Sequence, residues 1–272
     1  SACAFSDLLA AAGITVGSYK SPDSETLAKR EAEQRKEAKK HAAQAKAVWN
    51  EALPIAGTLA ETYLRGRGIT CQLPKSLRFH PHCWHGLTAK RYPAMVAAVQ
   101  GNQLAAVHRT YLKTDGSGKA DIEPSKMMLG ATKRAAVRLS ECRKHLVVAE
   151  GIETALSLSS GLLSAPAGVW AALSTSGMRG LALPPVAGHL TIASDGEQAG
   201  REAANALAAR ANDLGWQVTL LPAPDGLDWN DVLMMVYRES SNSPSVTAMI
   251  TGCAGAEVPR IFSSFRNTMY RQ

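Results

Sequence analysis

The sequence predicts an α/β protein: a Rossmann-like parallel sheet with flanking helices, preceded by a small α+β domain and an N-terminal helix. Three observations predict it. Over residues 146–237, apolar strand-like runs alternate with helical ones, the pattern of right-handed crossovers that build a parallel sheet. Over residues 54–145, one helical run precedes several short strand-like runs divided by Gly, Asp, Ser and Pro. Residues 24–53 contain no Gly or Pro and are rich in Ala, Glu, Lys and Arg, the composition of a continuous helix. The organisation expected is therefore 1–53, a segment with a long charged helix; 54–145, the α+β domain; 146–238, the parallel-sheet domain; and 239–272, a Ser-rich aperiodic tail left unassigned.

A chain of 272 residues, 46% hydrophobic and 19% charged, can bury a substantial core in one large or two small domains. No stretch approaches the roughly 18 unbroken apolar residues that a spanning helix needs, so no membrane role is expected. The start, SACAFSDLLAAAG, has no basic leader and reads poorly as a secretory signal. Five scattered cysteines (Cys3, Cys71, Cys83, Cys142, Cys253) without a CxxC pair suit a reduced compartment, and the expected location is the cytoplasm.

Within the N-terminal helix, large apolar residues are few, with Leu27, Val48 and Trp49 before the terminal Leu53. Such a helix is either a plain solvated rod or an arm whose Lys29, Arg30, Arg35, Lys36, Lys39 and Lys40 contact phosphates. The next segment reads as helix AGTLAETYLRGRGI, then strands SLRFH, AMVAAV, LAAVHRTYL and AAVRLS. His80, His82, Cys83 and His85 of HPHCWH crowd into six residues, which does not match the paired spacing of a zinc site. A polar loop with Trp84 packing down is the expectation there. The third segment reads as strand LVVAEG, helix IETALSLSSG, strands VWAAL and HLTIASD, helix AGREAANALAARANDLG, strand QVTLLPAP and helix LDWNDVLMMVY.

Charge divides along the chain. Residues 1–145 carry 23 Lys/Arg and 12 Asp/Glu, whereas residues 146–237 carry 3 and 9. The acids of the second region fall mostly just after strands, where parallel sheets bind ligands. Glu150 follows LVVA and Asp195 follows HLTIAS, so both are expected on one rim, and Glu197 joins Asp195 if the chain stays extended. Asp225, Asp228 and Asp231 leave the same rim after the last strand. Gathered carboxylates repel one another unless a cation sits among them, and hard oxygen donors select Mg²⁺ or Mn²⁺. Structural roles compete for some members. Glu153 suits a helix first turn, Asp225 a turn, Asp228 a helix cap and Asp231 a helix start.

The runs VVAEGIETAL, TIASDGEQAGREAA and LPAPDGLDWNDVL resemble the three blocks of the Toprim domain, in the version found in phage and plasmid primases and primase-helicases. GTLAETYLRGRGI, SLRFHP, YPAMVAAV and MMLGATKRAAVRLS resemble the region preceding Toprim in those proteins. The resemblance implies a primase catalytic core that makes primers on a single-stranded DNA template from nucleoside triphosphates, with Mg²⁺ or Mn²⁺ as cofactor and a replicative helicase as a partner. It implies catalysis by Glu150, Asp195 and Glu197, and metal binding by Glu150, Asp195, Glu197 and Asp228. Glu150 serves either as ligand or as general base. The second block departs from the usual Asp-x-Asp by reading Asp195-Gly196-Glu197. Neither an upstream zinc ribbon nor a downstream helicase is visible, so the chain is expected to be the polymerising core of a larger protein. Lys126, Lys133 and Arg134 resemble the basic ridge that precedes Toprim in bacterial primases, and Arg109 is expected to line the same groove. The alternatives are a Toprim nuclease and a non-catalytic nucleic-acid-binding module.

Overall fold

The computed structural model describes residues 23–141 and 144–242; the expectations placed on residues 1–22, on Cys142 and on residues 243–272 lie outside these. Helix α1 (Ser24–Glu51) begins where the Asp23 carboxylate accepts the Thr26 N–H at 2.7 Å, supplying an acceptor that a helix N-terminus otherwise lacks. The six cationic residues singled out above are all exposed on it. Towards its C-terminus, Ala42 and Ala45 are buried. Small side chains there let the helix lie against the first sheet, with Ala45 packing on Val96 and Val107. The Arg78 guanidinium stacks 4.3 Å from the Trp49 ring and donates to the Trp49 carbonyl.

The first sheet is antiparallel, in the order β1 (Leu53–Pro54), β2 (Leu77–His85), β3 (Lys90–Val99), β4 (Ala106–Tyr111), β5 (Lys126–Gly130). Helix α2 (Leu59–Gly66) lies between β1 and β2 in the chain. The HPHCWH run is no loop. It forms the end of β2 behind a register shift between His80 and Cys83. Strand alternation then buries Cys83 and His85 and leaves Trp84 47% exposed, so Trp84 does not pack down. Strand β5 carries KMMLG, whose apolar run is too short to stand out from its basic flanks.

The second sheet has the order β10 (Gln217–Pro222), β9 (His189–Ser194), β7 (His145–Ala149), β8 (Gly168–Ala171), β6 (Val137–Arg138). Its first four strands are parallel, and β6 closes the edge antiparallel to β8. The AAVRLS run, expected in the small domain, thus adds a strand to the second sheet. Leu146, Val147, Val148 and Ala149 are all buried, as a strand covered on both faces requires. On one face lie α4 (Thr175–Gly180), which the sequence did not reveal, and α5 (Gln198–Asp213), with Met178, Leu181, Ala203 and Leu207 in the core.

On the other face lie α3 (Ile152–Ser157) and α6 (Trp229–Asn242). Helix α3 runs on through a π-type turn, Leu158–Leu162, that ends on Gly161 at φ 115°, a conformation costly for any other residue. This face shares its core with the first sheet: Leu77, Met95 and Leu112 join Val147, Ile152 and Leu233 in one cluster. The antiparallel sheet is therefore sandwiched between α1 and the parallel-sheet region.

Candidate functional site

Strands β7 and β9 are adjacent, with Ala149 paired to Ala193. Glu150 and Asp195 therefore leave neighbouring strands at nearly the same level of the carboxyl-end rim. Gly196 holds the next segment in place. A Cβ there would stand 1.9 Å from the Pro224 carbonyl, so only glycine permits the close approach. Its N–H donates to the Leu227 carbonyl at 2.8 Å. This clamps the loop that follows β10 onto the turn that follows β9, and brings Asp228 beside the rim. Glu150 is steadied from the β8 side, where its carbonyl accepts the Leu173 N–H at 2.7 Å. Leu173 adopts φ 72° to make that turn, a left-handed conformation uncommon for a side chain of its size.

The acids feel one another. Burial pushes the Asp195 carboxyl up to about 7, with Glu150, Asp228 and Glu197 adding to the rise and Lys126 opposing it. Burial also raises Glu150, with Glu197 adding, while Lys126 and the Thr175 N–H work against the shift. The Asp195 Oδ1 atom is buried without a hydrogen-bond partner, which in a well-packed protein calls for an explanation. The carboxylates of Glu150, Glu197 and Asp228 near the orphaned Asp195 oxygen are hard-oxygen donors that fit a divalent cation of the magnesium class by chemistry. Among the described residues, no three His, Cys, Asp or Glu side chains already close on a common point.

The members differ in how far they are committed elsewhere. Glu197 is exposed, and although it begins α5 its carboxylate accepts no capping bond. Asp228 Oδ1 accepts the N–H groups of Asn230 and Asp231 at 2.8 Å each, and Asp231 Oδ2 accepts the Asp228 N–H at 3.1 Å. This reciprocal cap means that Asp228 offers the rim one carboxylate oxygen. Asp225 pairs with Arg201 on an exposed turn. Buried Asn230 ties α6 to its surroundings by donating to the Arg67 carbonyl at 2.8 Å and to Ser157 Oγ at 2.9 Å.

Beside the acids sits a charged cluster that the sequence did not assemble. Glu153 is 4% exposed; Tyr63 donates to its Oε1 at 2.8 Å and Lys126 Nζ stands 3.5 Å from its Oε2. Burial alone would raise its pKa, but Lys126, Lys119, its backbone N–H and Tyr63 outweigh that and bring it down to about 2. Burial lowers the Lys119 ammonium, with Glu153 opposing, and brings His108 down to about 4. Glu153 lies in the first turn of α3, as the structural reading expects. Tyr63 and Lys119 carry no motif, and only the joining of the two sheets brings them here.

The expected basic groove does not hold together as drawn. Lys126 opens β5, a five-residue strand of about 17 Å, and Lys133 lies three residues beyond its far end, so only Lys126 reaches the acids. Arg134 lies in a cleft with Pro184, Arg210 and Leu214, where α4 and α5 end, on the edge away from the rim. Arg109 is buried, 6% exposed, and its guanidinium donates to the carbonyls of Trp84 and Met128. It lines no groove, because strand β4 is covered on both faces.

Residues 145–239 match the Toprim domain family. The chain carries a Toprim domain. The Toprim match begins at the first residue of β7 and takes in the whole acidic rim. Residues 39–139 match a family described as a domain of unknown function, DUF7146. A comparison with curated proteins finds no match. Among solved structures, the chain is similar to a DNA primase domain from Pseudomonas aeruginosa at 19% identity, over 73% of this chain and 77% of that one, with TM-score 0.42. It is similar to the DnaG catalytic core at 15% identity, over 73% and 75%, with TM-score 0.45. It is also similar to the RNA polymerase domain of Mycobacterium tuberculosis primase DnaG at 15% identity, over 86% and 98%, with TM-score 0.42.

Proposed function

We propose that the chain is the catalytic core of a DNA primase of the phage or plasmid type, making primers on single-stranded DNA by metal-dependent nucleotidyl transfer. The observation that carries this reading is the Asp195 carboxylate, raised by burial and then by Glu150, Asp228 and Glu197, and left with an unpartnered oxygen on the rim of a Toprim domain. Like charges held together in this way stabilise nothing by themselves, and their use is to receive positive charge.

Glu150, Asp195, Glu197 and the remaining oxygen of Asp228 would hold Mg²⁺ or Mn²⁺. When bound there, the cation supplies the charge that acidifies an attacking 3′-hydroxyl and screens a triphosphate. Glu197, longer than aspartate by one methylene and uncommitted to its helix, turns towards the rim without breaking a cap. Glu150 accepts the hydroxyl proton or completes the ligand set. Lys126 lies within electrostatic reach of both the rim acids and Glu153, where its ammonium would meet a polyphosphate; the buried Glu153, itself held by Tyr63, keeps it there. The role of these residues is positioning, which dominates the catalysis of in-line phosphoryl chemistry.

The test is incubation of the protein with single-stranded template, nucleoside triphosphates and Mg²⁺. Primer synthesis that Asp195→Ala abolishes, with fold and DNA affinity unchanged, is the expected result. Cleaved template without primers would identify a nuclease instead, and template binding that survives EDTA with no product under any metal would identify a binding module.

A further inference from the structure

Of the five tryptophans, all among the described residues, Trp170, Trp216 and Trp229 are buried and Trp49 lies half-buried under Arg78, whereas Trp84 is 47% exposed. The position of Trp84 follows from strand register. Trp84 is paired with Arg91, Met95 with Thr110, and Thr110 with Lys126. Directly opposed residues project to the same side, as do residues two apart on one strand. Trp84, Arg91, Met95, Thr110 and Lys126 therefore share one face of the antiparallel sheet, the face on which Lys126 meets Glu153 of the Toprim domain.

Lys119, bridged to Leu112 beside Thr110, belongs to the same face and is felt by both Glu153 and Lys126. The four-residue step from Arg91 to Met95 spans about 13 Å, and the three strand spacings from β2 to β5 add about 14 Å sideways. Trp84 thus lies a few nucleotide lengths from the acidic rim, with Lys119 and Lys126 between.

The Arg91 guanidinium lies 5.8 Å from the Trp84 ring and is fixed by donating to the His82 carbonyl at 3.0 Å. A flat apolar ring beside an anchored cation is the unit from which single-strand grooves are built: the ring stacks a base and the cation holds the neighbouring phosphate. We propose that Trp84 and Arg91 form a base-stacking platform for single-stranded nucleic acid, receiving the strand that leads to the acidic rim past Lys119 and Lys126. The inference rests on the reading above that a single strand is the template. Its cations, Arg91, Lys119 and Lys126, belong to the basic N-terminal region of the chain.

The experiment is equilibrium binding of a fluorescein-labelled oligothymidylate to the full chain, followed by anisotropy in EDTA over a range of salt, so that no chemistry contributes. Trp84→Ala is expected to weaken binding roughly tenfold with the salt dependence unchanged, and Trp84→Phe to keep most of the affinity. Arg91→Ala is expected to weaken binding and to lower the slope of log K against log salt by about 0.7, one phosphate contact on a single strand. Wild-type binding that Trp84→Ala leaves intact would overturn the platform and leave the primase reading standing. An equal loss on duplex DNA, whose bases are already stacked, would also overturn it. Failure of the wild-type protein to bind any single strand would remove the primase reading as well.

Discussion

The two ends of the parallel sheet are made from the same strands and are treated in opposite ways. At the amino end, His145 of β7 and His189 of β9 stack with ring centroids 4.6 Å apart and planes 11° from parallel. Each closes a hydrogen bond to a threonine on the neighbouring strand, His145 to Thr191 at 2.9 Å and His189 to Thr219 at 2.8 Å. At the carboxyl end of the same two strands, burial raises both Glu150 and Asp195, Glu150 adds to the rise of Asp195, and an oxygen of Asp195 is left unpartnered. Polar groups that serve the fold are paired with what is at hand. Groups kept unpaired and mutually repelling are held for something brought from outside.

That contrast is broken most severely at Asp195. Asp195→Asn should reduce primer synthesis by at least a thousandfold and yet raise the melting temperature in metal-free buffer by a few degrees, because it removes repulsion. Parallel activity assays and thermal unfolding check both halves, and a fall in both would mean that Asp195 supports the fold.

A smaller but still large loss is expected from Glu153→Ala, which leaves Lys126, Lys119 and Tyr63 around an empty acceptor. Removal of one partner of a buried charged cluster costs about 3 kcal/mol, readable in urea unfolding. Glu153→Gln keeps the Tyr63 contact and should lose less.

Titration sharpens the comparison further. The Asp195 pKa is raised in the folded protein, so its contribution to stability is fully present below the unfolded value of 3.8 and is lost as pH rises through about 7. Glu153 runs the other way: its contribution is present above the unfolded value of 4.5 and is lost as pH falls towards about 2. His108, brought down by burial to about 4, and His145 work against this decline in any variant that keeps them, so the test is a difference: between pH 4 and 8 the wild type should lose stability relative to Asp195→Asn towards the alkaline side. Mg²⁺ or Mn²⁺ should restore the wild type at pH 8 and leave Asp195→Asn unchanged.

The smallest effect belongs to the histidine pair. Burial and the neighbouring His189 lower the His145 pKa, so its contribution is present above the unfolded value of 6.5 and lost on acidification. His145→Asn should shift stability by about 1 kcal/mol, flatten the profile below pH 6 and leave primer synthesis intact, as measured by thermal melts and the template assay.

Much of the acidic rim was legible in the chain because its pieces are local. An apolar run such as LVVA specifies a buried parallel strand, and the residue after it must emerge at the rim, so Glu150 and Asp195 were placed by pattern alone. The same holds for α1 and α5, whose composition leaves no alternative to a helix. The basic side was misread for the complementary reason. PSKMMLGATKR looks like one ridge in sequence, but five of its residues extend as β5, which starts at Lys126 and ends three residues before Lys133. Arg109 and Trp84 exchanged their expected places: strand β4, covered on both faces, takes the arginine inside, and the register shift at His80 turns the tryptophan outward.

By itself the sequence determined the α/β class, the parallel strands β7 to β10 other than their edge partner β6, and the carboxylates at the carboxyl ends of β7 and β9, because periodicity and strand ends are properties of neighbouring residues. Only the tertiary structure decided that Tyr63, Lys119 and Lys126 gather around Glu153 and that Trp84 shares their face. Those contacts join residues as many as 90 positions apart. They exist because two sheets bury one common core, and no local pattern encodes which faces of those sheets will meet.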